Sequence, residues 1–226
     1  MVSIVCAMLL AVPGMGVLTS TTPLSIMPRE NVTIVDARPA AEFEAGHIPG
    51  AVNLDAGALS DTIMMIPGML KPLNLVVGML GEHGIVPWKE VVIYAGGGDG
   101  VEGVIPATRI FWVLDNRGYP NTSVLDGGFK KWAAEGLKVE TGKGAAPEAV
   151  KMADILPKLK ITPSVNVLRD EVWRMADKGA GIVVDARKPE QFSGAEKKDD
   201  VKKAGHIKGA INVPADVVLD KEQGVF

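Results

Sequence analysis

Ala45-Gly46-His47-Ile48-Pro49-Gly50-Ala51-Val52-Asn53 returns later in the chain as Ala204-Gly205-His206-Ile207-Lys208-Gly209-Ala210-Ile211-Asn212. Each copy follows a Val-Asp-Ala-Arg tetrapeptide, first Val35 to Arg38 and then Val184 to Arg187. Self-similarity over so long a stretch sets the architecture before any propensity is weighed. The aspartates lie 185 − 36 = 149 residues apart and the histidines 206 − 47 = 159, so the second copy holds ten extra residues between its landmarks. The extra residues fall within Ser193 to Lys203, a stretch whose charges nearly cancel and which reads as a solvated loop.

Around the first copy, Thr33-Ile34-Val35, Val91-Val92-Ile93-Tyr94 and Thr122-Ser123-Val124-Leu125 are β-rich runs bounded by Gly, Pro or Asp. Between them, Pro106 to Arg117 carries Ile110, Val113 and Leu114 at helical spacing, with Pro106 suited to a first turn and Gly118 as a stop. A shorter helix is expected over Gly128 to Glu135. Strands alternating with helices predict an α/β fold with a mostly parallel sheet covered on both faces. In the second copy a helix over Asp170 to Lys178, stopped by Gly179, leads into an expected buried strand, Ile182-Val183-Val184. The expected organisation is a leader-like segment at 1–16, a complete domain at 17–141, a Gly- and Pro-bearing linker at 142–160, and the N-terminal part of a second domain at 161–226. Lacking counterparts of Val91–Tyr94 and Ser123–Leu125, the second copy is expected to be loosely ordered, docked on the first domain, or completed by another chain.

With 226 residues, 47% of them apolar, the chain has material for one full core and part of another. A net charge of −3 with mixed signs offers no basic stripe for phosphates, so nucleic acid is not an expected partner. The lone cysteine, Cys6, excludes a disulfide framework and a thiolate zinc cluster, and no metal or other cofactor is expected. His47 and His83 read as structural, and Met64, Met65 and Met69 as core filling. Residues 1–12 are apolar apart from Ser3, and no charge precedes Arg29. Twelve helical residues reach roughly 18 Å, short of a bilayer core of about 30 Å, so no membrane span is expected. Two readings stay open: an export signal, which would place the protein in the periplasm or outside the cell, or a buried N-terminal segment of a cytoplasmic protein.

The ordered set Val-Asp-Ala-Arg, Gly-His-Ile-x-Gly-Ala-x-Asn, a Gly-rich loop, then Leu125-Asp126-Gly127-Gly128 with Trp132 and Gly136, resembles the rhodanese family of sulfurtransferases in its tandem form. The resemblance runs from Val17 to Phe226. It implies a parallel α/β sheet flanked by helices, a silent first domain, and a second domain whose cysteine follows a strand and takes sulfur from a small donor anion such as thiosulfate or mercaptopyruvate. Such a thiolate is favoured where a loop enters a helix N-terminus, because free N–H groups and the helix dipole stabilise anions. In the first copy that loop is Ala95-Gly96-Gly97-Gly98-Asp99-Gly100, continuing through Glu102 and Gly103, and Ala95 stands at the cysteine position. In the second copy the equivalent position would fall near 95 + 159 = 254, outside these 226 residues. No catalytic residue is therefore expected in the chain. Asp185, Arg187, Gln191 and His206 are its candidate supporting residues. Gln191 stands where animal members tend to carry an Arg that grips the donor, and a neutral amide holds an anion less well.

Two other readings compete. Gly98-x-Gly100-x-x-Gly103 fits a dinucleotide fingerprint and Asp126 could serve as its ribose acid, although Asp99 and Glu102 would repel a pyrophosphate. The chain could also act as a non-catalytic binding or scaffold module. Thiosulfate-to-cyanide turnover separates the enzyme from the module.

Overall fold

The computed structural model describes residues 18–21, 29–63, 66–98, 100–144, 146–161, 167–199, 201–220 and 226. They fall into two compact units, one built from 18–161 with 220 and 226, the other from 167–219.

The first unit is a five-stranded sheet in the order β1-β7-β6-β2-β3, every neighbouring pair parallel. Its strands are β1 (Leu18–Thr19), β2 (Val32–Asp36), β3 (Val52–Asn53), β6 (Glu90–Tyr94) and β7 (Thr122–Leu125). β6 forms in the middle because Val91, Val92 and Ile93 are β-branched and both faces of this strand are covered. Its residues from Val91 to Tyr94 are fully buried, each stabilising the fold by about 1.5–3 kcal/mol. The strand period of two sorts them: Val91 and Ile93 join Val35 and Val124 in one core layer, while Val92 and Tyr94 join Ile34 and Leu125 in the other.

Helices close both layers. On the first face lie α2 (Leu73–Glu82), α3 (Ile105–Asn116) and the short α5 (Met152–Ile155); on the second lie α1 (Ala40–Ala45) and α4 (Gly128–Ala134). α3 starts with Pro106 in its first turn and stops at Gly118, whose φ of 83° few other residues adopt. An antiparallel pair, β4 (Ser60–Ile63) and β5 (Ile66–Leu70), precedes α2. This hairpin is not expected from the sequence, which gives a strand-forming run no Asn-Gly or Asp-Gly turn. It carries Met69 at 39% exposure, which corrects the core-filling reading of that residue; Met64 and Met65 lie outside the described residues. The expected linker is packed on this unit: Val150 N donates to Gly81 O at 2.9 Å and Ile155 is fully buried.

The second unit contains α6 (Arg169–Lys178), β8 (Val184–Asp185), α7 (Pro189–Ser193) and β9 (Ile211–Asn212). β8 and β9 pair in parallel with Val184 opposite Ile211 and Asp185 opposite Asn212, the register that Val35–Val52 and Asp36–Asn53 have in the first unit. The expected buried strand Ile182–Val184 is corrected here. Only Val184 of the three is in the ladder, and Ile182 is 77% exposed. Apolar sequence builds a buried strand only when neighbours cover it, and among the described residues β8 has a strand on one side only. Ser193–Lys203 is largely exposed, as a solvated loop should be.

Candidate functional site

The repeated motifs fold into the same set of contacts twice. At the end of β2, the Asp36 carboxylate accepts from Arg38 N at 2.9 Å, from Arg38 Nε at 3.0 Å and from Arg38 Nη2 at 2.6 Å. Arg38 Nη2 also donates to Gly46 O at 2.7 Å. Asn53 Nδ2 bridges the carbonyls of Asp36 and Arg38 at 3.1 and 2.8 Å. His47 Nδ1 donates to Phe43 O at 2.9 Å, and its ring stacks on Phe43 at 3.9 Å.

In the second unit, Asp185 accepts from Arg187 N, Nε and Nη2 at 3.0, 2.9 and 2.5 Å, and Arg187 Nη2 donates to Gly205 O at 2.9 Å. Asn212 Nδ2 bridges Asp185 O and Arg187 O at 2.8 and 2.9 Å. His206 Nδ1 donates to Phe192 O at 2.8 Å and stacks on Phe192 at 3.8 Å. The residue types follow from the geometry. A planar guanidinium grips a carboxylate with two parallel bonds, and an amide NH2 can serve two carbonyls at once.

The electrostatics of the two clamps differ with burial. Burial pulls the Arg38 guanidinium down, yet the hydrogen bonds and charge of Asp36 outweigh it and the net shift is upward. The hydrogen bond from Arg187 holds the Asp185 carboxyl below its ordinary value against the opposing effect of burial, and Asp185 raises Arg187 in return. Burial and then the nearby Asp36 charge push the Tyr94 phenol up; its oxygen accepts Ile48 N at 3.1 Å. Arg38 further lies over Phe129, 4.2 Å from its ring centre. Asp185, Arg187 and His206 are thus brought together around the β8–β9 end, while Gln191 sits half-buried on α7.

The Gly-rich loop leaves the sheet at the C-terminal end of β6. Ala95, 3% exposed, presents its carbonyl to Phe129 N at 2.9 Å, and Gly96 O accepts Lys130 N at 2.9 Å. Gly97 N donates to Gly103 O at 3.0 Å. Gly97 and Gly98 have φ of 74° and 79°, and a side chain on Gly98 would strike Lys130, its Cβ only 2.2 Å from Lys130 Cδ. Gly128 is constrained more firmly, because a Cβ there would lie 2.5 Å from the backbone oxygen of Ala95, which cannot swing aside as a lysine side chain can. Gly100 and Gly103 bound the following turn, with Glu102 exposed; Asp99 lies outside the described residues. The loop is therefore packed against the start of α4, with the exposed Lys130 side chain lying beside Gly98. The candidate ribose acid is engaged elsewhere: Asp126 accepts Phe226 N at 2.9 Å and lies 4.0 Å from Lys131 Nζ. Among the described residues no group of His, Cys, Asp and Glu could hold a metal, and no helix is long and apolar enough to cross a membrane.

Several contributors are missed by the sequence reading. Asn53 and Asn212 stand inside the quoted repeat, and Phe43 and Phe192 share the 149-residue offset of the aspartates, so the repeat carried a signal for all four. Lys130 and Tyr94 left none, because their contacts come from the packing of α4 and β6.

Residues 24–135 and 168–224 match the family described as rhodanese-like domain. The chain is 32% identical over 189 residues to 3-mercaptopyruvate sulfurtransferase of Rattus norvegicus, covering 83% of this chain and 60% of the relative. It is 31% identical over 196 residues to 3-mercaptopyruvate sulfurtransferase of Escherichia coli K12, covering 81% of this chain and 65% of the relative. The chain thus spans less than two thirds of the length of these curated relatives. The crystal structure of SseA from Escherichia coli, a 3-mercaptopyruvate sulfotransferase, superposes with a TM-score of 0.75 at 27% identity, covering 94% of this chain and 79% of that one.

Proposed function

The chain belongs to the rhodanese-like domain family, and on that premise we propose that it is the leading part of a sulfurtransferase whose nucleophilic cysteine lies outside these 226 residues. The reaction has two steps. A cysteine thiolate bonds to the outer sulfur of thiosulfate or to the thiol sulfur of mercaptopyruvate, and the bond from that sulfur to the rest of the donor breaks with its electron pair, releasing sulfite, or the pyruvate enolate, which takes up the proton lost by the donor thiol to give pyruvate. The resulting persulfide then yields its outer sulfur to cyanide or a thiolate, and the cysteine leaves as thiolate.

The observation that carries this reading is Ala95. It occupies the first position after β6, where the helix-entry loop would need a thiol, and a methyl group cannot take sulfur. The packing of the loop supports a silent role for the first unit, since the carbonyls of Ala95 and Gly96 and the amide of Gly97 are already paired. Asp185 and Arg187, bound to each other, serve to hold the β8–β9 end in shape, and another polypeptide segment brings the cysteine to it.

The test compares this chain with the product of the gene read past codon 226. The expected result is a cysteine near position 254, thiocyanate formation by the extended protein only, and its loss on replacing that cysteine by serine. An extended protein with no turnover, or turnover by the shorter chain, would refute the reading.

A further inference from the structure

The two copies differ in charge at the residue that follows their clamps. In the first copy Pro39 follows Asp36–Arg38; 149 residues later, Lys188 follows Asp185–Arg187. Lys188 is exposed, and its Nζ donates no hydrogen bond and joins no ion pair among the described residues. Its neighbour Arg187 is not free in that way, because Asp185 and the Gly205 carbonyl hold it. On α7, Gln191 stands one turn beyond Lys188 and is neutral, while Glu190, two positions on, points elsewhere around the helix. Lys188 is therefore an unneutralised cation just past the end of β8.

The first unit shows what that position adjoins. Asp36 is level with Tyr94 in the ladder, and Ala37 N donates to Tyr94 O at 2.9 Å, which sets Ala37 beside Ala95. Phe129 joins the same two segments: its N donates to Ala95 O at 2.9 Å, and the Arg38 guanidinium lies 4.2 Å from its ring centre. Because β8 and β9 keep the register of β2 and β3, a cysteine at the place of Ala95 in the second unit stands level with Ala186, two residues before Lys188. That is within reach of a lysine's four-carbon stem, at the carboxyl end of parallel strands, where α/β sheets bind their ligands. We propose that Lys188 recognises the charge of the sulfur donor and draws a small dianion such as thiosulfate to the cysteine, an inference that rests on reading the chain as part of a sulfurtransferase. The silent copy, with Pro39, has no charge at this position. An ammonium on a flexible stem attracts a mobile anion without fixing its orientation, so Lys188 acts on donor capture and not on the bond-making step.

The experiment uses the gene product read past codon 226, with Lys188→Gln, Lys188→Arg and, as a control, Lys178→Gln at an exposed lysine of the same unit. Between a unit charge and a dianion about 6 Å apart in a water-like medium, Coulomb attraction amounts to roughly a factor of ten, and for a monoanion roughly a factor of three. At low ionic strength, Lys188→Gln should therefore lower kcat/KM about tenfold for thiosulfate and about threefold for the monoanion benzenethiosulfonate, with kcat unchanged. Lys188→Arg should stay near the unsubstituted value, and Lys178→Gln should have no effect. In about 1 M salt both losses should shrink towards none. Equal losses for the two donors, a loss that salt leaves intact, or no loss would overturn the proposal. A second readout needs no turnover: thiosulfate, raised until its effect saturates, should slow acetylation of Lys188 at least about threefold and leave Lys178 unchanged. Equal labelling of Lys188 with and without thiosulfate would also overturn it. Protection of Lys188 in an extended protein that turns nothing over would support the anion contact and count against the sulfurtransferase reading alone.

Discussion

Replacing Asp36 by Asn and Asp185 by Asn alters the same clamp in two settings, and the structure fixes the order of the effects. Asp36 is fully buried and the Arg38 side chain is 8% exposed, so Asp36→Asn leaves a guanidinium shut away from water beside a neutral amide. Breaking a buried pair from one side costs about 3–5 kcal/mol. At the second clamp the Arg187 side chain is 18% exposed, so water replaces part of the lost interaction and the cost falls to about 1.5–2 kcal/mol, the low end of the range for a hydrogen bond to a charged group. A difference of about 2 kcal/mol is roughly thirtyfold in a local opening constant. Hydrogen exchange followed by mass spectrometry reads each site against the unsubstituted chain. Protection over 32–36 should fall about thirtyfold more in Asp36→Asn than protection over 183–185 falls in Asp185→Asn. Equal losses, or a larger loss at the second clamp, would refute the link drawn between burial and the strength of the pair.

Other outcomes follow from the loop and the core. Ala95→Cys, made with Cys6→Ser, should still give no thiocyanate from thiosulfate and cyanide, and its thiol should react with a disulfide reagent at least about tenfold more slowly folded than unfolded; turnover would mean the loop is a working cradle. Gly128→Ala should destabilise the first unit by about 1–3 kcal/mol in urea, since φ is 56° and its Cβ would meet Ala95 O; an unchanged midpoint would contradict that packing. Ile93→Ala, which empties a fully buried site on the central strand, should cost about 2–5 kcal/mol in the same assay, and a cost under about 1 kcal/mol would argue against β6 as the core strand. Asp185 is held below its ordinary value of 3.8, so its contribution to stability is complete above the unfolded value and is lost as pH falls through the lower folded one. A carboxyl titration followed by NMR should give a midpoint under 3.8. A midpoint at or above it would mean that Arg187 does not hold this group in solution.

The sheet was legible because its strands are dense in β-branched residues and its helices carry local start and stop residues such as Pro106 and Gly118. The α/β class and the elements from β6 to α4 follow from those signals to within a residue or two at each end. Ile182–Val184 shows the limit of such reading. Like Thr33–Val35 it consists wholly of β-branched residues, yet burial depends on what covers the strand, and that is a tertiary fact. The hairpin Ser60–Leu70 was hidden for a related reason, because its pairing relies on contacts such as Arg109 Nη2 to Gly68 O at 2.8 Å rather than on turn residues. At the candidate site, the repeat named Asp185, Arg187 and His206 but gave no sign that Arg187 reaches the Gly205 carbonyl, and the approach of Lys130 to Gly98 depends on how α4 packs.

The central claim is that no sulfur acceptor stands at the mouth of the β6–α3 loop, and an intact-mass measurement of the purified chain after incubation with thiosulfate tests it most directly. The mass should remain that of the untreated protein. A stable gain of one sulfur atom, removed by cyanide with release of thiocyanate, would contradict the account.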